Sequence, residues 1–416
     1  MENNLTPELR FPEFQDEWNK SIIKEIANKI TDGTHDTPKA TETGIPFLTA
    51  IHVRDGFIDF ENCYYLPEDV HQKIYARCSP EKDDLLMVNI GAGVATSAKV
   101  DADFEFSLKN VALIKPNKSK IDPDFFTQIQ RRNSARLRHQ ISAGGAQPFL
   151  SLKEIGNLKL IIPNKKTEQT KIANFLTVID KRINLLQKKK AELVQYKKGV
   201  MQKLFSQTIR FKDENGNDFP DWEEKKLGEI GVFQTSSVDK ISNDDEEQVY
   251  LVNYMNVYRH ENISNSTRGN LQVVTAKENQ IKSSNLKKGD ILFTPSSETP
   301  SDIGHSVVIF EDLENTLFSY HLMRFRPSVK LDLLYSHYFC NIPSVLKQLS
   351  SFATGSTRFT ISVGNFSKIK VQLPSIDEQI KIAKYLSKID KSIERLGNQI
   401  DNSTKFKQGL LQKMFV

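Results

Sequence analysis

The stretch "EQTKIANFLTVIDKRI" (168–183) recurs 210 residues later as "EQIKIAKYLSKIDKSI" (378–393), each copy following a proline-containing bend. Aligning 168–205 with 378–415 gives 16 identities in 38 positions. Ile172, Leu176, Ile179, Ile183, Leu186, Lys190, Leu193, Lys197, Val200 and Leu204 step by four and three, the seam of a coiled coil. Ile382, Leu386, Ile389, Ile393, Leu396, Ile400, Ser403, Lys407, Leu410 and Met414 repeat that stepping. At 1.5 Å per residue each helix is roughly 57 Å long. Such a helix cannot hide its seam on one small domain, so its economical partner is its own copy. A twofold relation across the two helices makes them antiparallel. Lys190 and Lys197 fall on the seam and are expected to snorkel outward.

The repeat reaches beyond the helices, as a self-similarity of long period should. "AGGAQPFLSLKEIGNLKLIIP" (143–163) is answered by "TGSTRFTISVGNFSKIKVQLP" (354–374), and "SLKNVALIKP" by "SYHLMRFRP". "LRFPEFQDEW" near the start is echoed by "IRFKDENGNDFPDW" after the first helix. Two copies of one module therefore make up the chain, each a globular part followed by a helix. Short β-branched and aromatic runs between turn signals predict twisted sheets in the globular parts, with helices at about 122–140 and 332–350. The expected class is α+β: two mixed, β-rich domains and two long helices in an antiparallel coiled coil, with a pseudo-twofold internal repeat. The expected boundaries are 1–165, 166–205, 206–375 and 376–416.

Charge is distributed in the same duplicated way. Residues 1–108 carry 10 basic and 20 acidic side chains and 109–165 carry 11 and 3; 206–312 carry 11 and 19, and 313–375 carry 7 and 2. The helical segments 166–205 and 376–416 are basic, with 10 against 3 and 8 against 5. A basic half-domain suits phosphate contacts, which need Lys and Arg clustered locally rather than a basic whole. The N-terminus has no basic stretch followed by an apolar core, and no run of about 18 apolar residues occurs, so a soluble cytoplasmic protein is expected. Cys63, Cys78 and Cys340 share no metal or disulfide spacing. No P-loop, nucleophile elbow or H-E-x-x-H motif is present, and the G-x-G of "NIGAGVATS" (89–97) lacks a strand-turn-helix context. "TDGTHDTP" (31–38) sets His35 in a turn that serves either loop architecture or base edges; "RRNSARLRH" (131–139) is either a solvated face or a phosphate-binding one.

"DGTHDTP", the duplicated Pro…Glu-Gln-x-Lys-Ile-Ala block, and the ends "GVMQKLF" and "GLLQKMF" together resemble the specificity subunit of type I restriction-modification systems over essentially the whole chain. The resemblance implies two target recognition domains, each reading one half of a split double-stranded DNA sequence, held apart by two spacer helices. "KAEL" (190–193) resembles the short unit whose copy number sets half-site spacing in that family. The resemblance places no active site, metal or cofactor on this chain. Its implied partners are two methyltransferase subunits, which use S-adenosylmethionine to methylate adenine, and two restriction/translocase subunits using ATP and Mg. A rod of that length spans about 17 base pairs, so half-sites about one turn apart are expected. Polar residues on turns are the expected base readers: Thr34, His35, Arg54, Lys99 and Gln147 in the first domain, and Ser237, Lys240, Arg259, Arg268 and Arg358 in the second. "DGTH" has no counterpart in the second half, where "FQTSSVDK" stands. The competing reading is a coiled-coil adaptor whose two domains bind protein.

Overall fold

A computed structural model describes residues 5–142 and 148–416. It divides into two compact units, Met1–Lys188 with Gly397–Val416, and Lys189–Leu396. Each unit thus takes part of both long helices, Lys166–Phe205 and Ile376–Lys413.

The first unit is built on an antiparallel sheet in the order Ala27–Asp32, Val111–Pro116, Leu85–Val88, Ser97–Lys99. "VALIKP" is an almost unbroken apolar run, and it lies second in the sheet with its first four residues buried, as a strand covered on both faces must. A second sheet sets Ile45–Leu48 between antiparallel Tyr64–Leu66 and parallel Ser107–Leu108. Asn19–Ile22 and Lys159–Ile162 form a separate ribbon. Helix Pro123–Ser142 covers the first sheet, placing Phe125 and Ile129 in a core with Met87 and Ile114.

The second unit repeats this strand for strand. Its sheet runs Gly231–Thr235, Met323–Pro327, Ile291–Phe293, Ser306–Val308; its three-stranded sheet runs Gln272–Ala276, Glu247–Val252, Thr316–Phe318; its ribbon pairs Glu223–Lys226 with Lys370–Leu373. The central strand of the three-stranded sheet again has one antiparallel and one parallel neighbour. The helix expected over 332–350 is instead two, Leu333–Phe339 and Pro343–Phe352. Pro343 supplies no N–H and forces Ile342 out of the helical region, to φ −79° and ψ 151°.

The duplicated Glu-Gln block is a structural latch. In the first unit Glu168, 2% exposed, accepts from Arg10 at 2.7 and 2.9 Å and from the Trp18 indole at 3.2 Å. Fully buried Glu378 does the same with Arg210 at 3.2 and 2.8 Å and Trp222 at 2.9 Å. The adjoining glutamines work as clamps. Gln169 accepts from the Asp122 amide at 2.8 Å and donates to the Pro163 carbonyl at 3.0 Å; Gln379 accepts from Asp332 at 3.0 Å and donates to Pro374 at 3.0 Å. One dipeptide therefore joins the incoming arm, the proline bend and the start of an earlier helix, Pro123–Ser142 in the first unit and Leu333–Phe339 in the second. The lysine of each block, Lys171 and Lys381, lies over an aromatic ring of the arm, Phe11 and Phe219.

The seam residues bury as their spacing requires: Ile172, Leu176 and Ile183 in the first unit, Ile382, Leu386 and Ile389 in the second. Each contributes on the order of 2 kcal/mol through apolar burial. Lys197 does not snorkel. It turns inward to Asp390 at 2.5 Å and lies 5.2 Å from the ring of Tyr338, whose hydroxyl donates to the same carboxylate at 2.7 Å. The repeat-equivalent pair in the first unit is Lys407 with Asp180, at 2.6 and 2.8 Å. Within each unit the segments of the two helices run antiparallel: in the first, Lys407 meets Asp180 while Phe415, further along, packs on Trp18 beside Glu168. Among the described residues no helix is long and apolar enough to cross a membrane, and the three cysteines are buried and free.

Candidate nucleic-acid interface

Strand direction brings the loops of each unit's main sheet together at one end. In the first unit this end carries the loop after Ala27–Asp32, the turn before Val111–Pro116, and the segment between Leu85–Val88 and Ser97–Lys99. Gly33 is required there, because a Cβ would stand 2.0 Å from the Leu108 carbonyl oxygen. Thr34 donates its amide to Leu108 at 2.9 Å and accepts from the Asn110 amide at 3.2 Å. His35, 61% exposed, places Nδ1 2.9 Å from Asn110 Oδ1 and Nε2 3.2 Å from Asp32. Lys109 reaches the Thr37 hydroxyl. The neighbouring segment is fixed by Gly91 donating to Pro148 and Leu150 donating to Asn89, each at 2.8 Å. Gln147 lies outside the described residues.

Arg54 joins the same end. Its hairpin, Val53–Arg54 with Phe57–Ile58, is anchored by the Gly56 amide on the Ser97 carbonyl at 3.0 Å. Arg54 is exposed opposite Phe57, itself 56% exposed. Lys99 stands at the other end of its strand. Its ammonium meets Asp124 at 2.7, Asp101 at 3.0 and Asp83 at 3.5 Å with the side chain 16% exposed. Burial opposes its charge, but Asp124 and Asp101 outweigh burial and hold its pKa above the usual lysine value. Three carboxylates thus engage Lys99, at the strand end away from Thr34 and His35.

In the second unit "TSSVDK" occupies the place of "DGTH". The Tyr320 amide donates to the Val238 carbonyl at 3.0 Å, as Asn110 donates to Thr34. Ser237 and Lys240 are exposed on this loop. Arg358 is exposed on the segment whose Phe359–Thr360 pairs with Ser296–Ser297, and its guanidinium lies 3.4 Å from the Ser296 hydroxyl. Burial, with the nearby positive charges of Arg358 and Lys240, holds the His321 pKa below the usual imidazole value. Neutral His321 can donate from one ring nitrogen and accept at the other between two cations. Arg259, 65% exposed and 4.0 Å from Glu261, closes the short helix Tyr254–Tyr258, whose Tyr254 hydroxyl donates to the Ser296 carbonyl at 2.8 Å. Arg268 is elsewhere: its guanidinium bonds the Glu314 carbonyl at 3.0 Å and lies 5.5 Å from the Tyr250 ring, before the start of strand Thr316–Phe318. That is the end of the strand away from His321, so the structure does not bring Arg268 together with Ser237, Lys240 and Arg358.

The structure also places Lys109, Asn110, Ser296, Tyr320 and His321 beside these loops, residues that the sequence reading did not single out. A signal for four of them existed: "KN" and "YH" hold corresponding places in the duplicated "SLKN" and "SYHL". Neither pair has a motif of its own.

A family model described as the type I restriction modification DNA specificity domain matches residues 15–195 and 220–403. In Methanocaldococcus jannaschii, the MjaVIII type I restriction enzyme specificity subunit is 26% identical over 353 residues, covering 82% of this chain and 81% of the relative. A MjaX specificity subunit of the same organism is 25% identical over 405 residues, covering 92% and 89%. The crystal structure of a type I restriction-modification S subunit from M. genitalium has the same fold, with TM-score 0.59 at 16% identity over 99% of both chains. A chain from a study of complex assembly in the type I system aligns with TM-score 0.57 at 15% identity over 96% of this chain and 97% of that one. With a duplicated fold, the same cluster of loops repeated at one sheet end in both units and the family model matched twice, the chain belongs to the type I restriction-modification DNA specificity family and is the specificity subunit of such a system.

Proposed function

We infer that this subunit selects a two-part double-stranded DNA target, the domain at 1–165 reading one half and that at 206–375 the other. It docks two methyltransferase and two restriction/translocase subunits, with its long helices as spacer. The chemistry belongs to those partners: adenine methylation with S-adenosylmethionine, and translocation and cleavage with ATP and Mg. One observation carries the reading. The same end of the same sheet presents, on matching backbone hydrogen bonds, Thr34, His35 and Lys109 in one unit and Ser237, Lys240 and His321 in the other. A common frame with different side chains is what two readers of unlike half-sites require.

The test is to map methylated adenines in DNA from cells carrying the subunit and its methyltransferase, then to exchange 206–375 for the corresponding domain of another specificity subunit. One half-site should change and the other persist; two unchanged half-sites would refute the assignment. Finer substitutions follow from the geometry. Arg358→Ala is expected to relax the preference at one base pair by about 10-fold or more, scored on a panel of single-mismatch duplexes. Lys240→Ala should weaken all duplexes alike and lower the slope of log K against log salt by about one. Lys99→Met should leave that slope unchanged.

A further inference from the structure

In the first unit a groove of about 620 Å³ runs between helix Pro123–Ser142 and the ribbon strand Lys159–Ile162. Arg132, Arg136 and Lys159 line it, and no aspartate or glutamate does. Among the described residues neither Arg136 nor Lys159 meets an acidic side chain; Arg132 donates to the main-chain oxygen of Val416 at 2.9 Å and to the Asn133 side chain at 3.3 Å. Gln130 sits at the floor, fully buried, with neither end of its amide bonded. The groove therefore holds surplus positive charge and unspent hydrogen-bonding capacity.

Its wall is an open strand edge. The Ile23 amide bonds the Leu158 carbonyl at 3.2 Å while Lys159 stands opposite Ile22, so the N–H and C=O of Lys159 point away from the ribbon. The second unit shows what such an edge takes. There Leu227 bonds Ile369 at 2.9 Å, Lys370 stands opposite Lys226, and the outward groups of Lys370 are both filled. Gln348, on helix Pro343–Phe352, accepts from the Lys370 amide at 2.8 Å and donates to its carbonyl at 2.9 Å. One primary amide thus imitates a neighbouring strand. At Lys159 neither group has a partner among the described residues, and the groove stands where that amide would be.

We propose that this groove takes an extended acidic peptide segment of a partner protein, which pairs its backbone with the free edge at Lys159 and its carboxylates with Arg132 and Arg136. Strand addition supplies the main-chain bonds, and charge selects the side chains. A nucleic-acid backbone has no alternating donors and acceptors to match a strand edge, which favours peptide over phosphate. The inference stands independently of the DNA reading, since the groove contains none of the candidate base readers.

The experiment uses the full-length chain and a labelled twelve-residue peptide of alternating Glu and Val, followed by fluorescence anisotropy and hydrogen exchange. Binding should slow exchange at the Lys159 amide, and the alternating Lys-Val peptide should not bind. Arg132→Gln with Arg136→Gln should weaken binding by about 10-fold or more. Lys159→Pro removes the outward N–H of a ribbon edge together with the lysine charge, and should weaken binding more than Lys159→Gln, which removes the charge alone. The proposal fails if the Glu-Val peptide does not bind, if the double-arginine variant and Lys159→Pro both bind it as tightly as the parent, or if a random-sequence DNA duplex protects Lys159 in its place.

Discussion

Glu378→Ala is expected to cost the second unit about 3 kcal/mol, because it removes one member of a buried pair and leaves the others uncompensated. The carboxylate is fully buried and serves two donors at once, the Arg210 guanidinium and the Trp222 indole. Without it Arg210 keeps the Phe219 and Pro220 carbonyls at 3.2 and 2.6 Å but loses its buried anion, and the indole N–H is left with no acceptor. Native-state hydrogen exchange is the suitable measurement, since two units need not unfold together. Amides of Gly231–Thr235 and Met323–Pro327 should exchange faster by roughly two orders of magnitude, while those of Val111–Pro116 should stay at their parental rates. Uniform acceleration in both units would contradict the assignment of one latch to each.

Asp180→Ala is expected to be as damaging to the first unit, again about 3 kcal/mol. Its carboxylate takes Lys407 at 2.6 and 2.8 Å, Arg131 at 3.0 Å and Gln128 at 2.8 Å. Arg131 in turn holds Asp55, at the tip of the hairpin that carries Arg54, at 3.1 Å. Removing the central anion leaves two buried cations facing each other, so the pairing and not the charge itself is what the fold needs. Asp180→Leu combined with Lys407→Met should recover more than half of the loss. Burial raises the Asp180 pKa, but Arg131 and Lys407 outweigh it, and the net direction is below the usual aspartate value. The Lys407 pKa is also driven down, by burial and by Arg131, which disfavours its charged form. The bonding of its ammonium to both carboxylate oxygens is that of an ionised pair, and the direction at Asp180 is the one that governs. A carboxyl with a depressed folded pKa contributes its full stability above the unfolded value of about 4 and loses it as pH falls below that. Acid unfolding of the first unit should therefore steepen below about pH 4, and the Leu/Met pair should flatten that limb.

The duplication, the fold class and the antiparallel helices were legible because each rests on spacing alone: a step of four and three, a recurring Glu-Gln, a proline at each bend. The break at Pro343 could also have been read from residue type. The seam lysines were harder, since whether Lys197 leaves a coil or turns inward depends on an aspartate 193 residues away. The reading end was only partly legible. Residues on loops can be picked by type, but which end of a sheet a loop occupies depends on strand order. Lys99 and Arg268 were chosen for their charge and lie at the strand ends away from Thr34 and His321, whereas Asn110 and His321 look ordinary until the strands bring them beside those loops.

Those loops have one further property. Gly33, Ser236 and buried Val238 fix the backbone of these loops, while Ser237 and Lys240 beside them are exposed. Side-chain identity at those two exposed positions is almost decoupled from the folding energy, so most exchanges at 237 or 240 should be neutral to stability within about 0.5 kcal/mol. If these loops read DNA as proposed, drift at those two positions can sample new base preferences while selection for a folded subunit stays blind to it, and a lineage can change what it recognises without passing through an unstable ancestor.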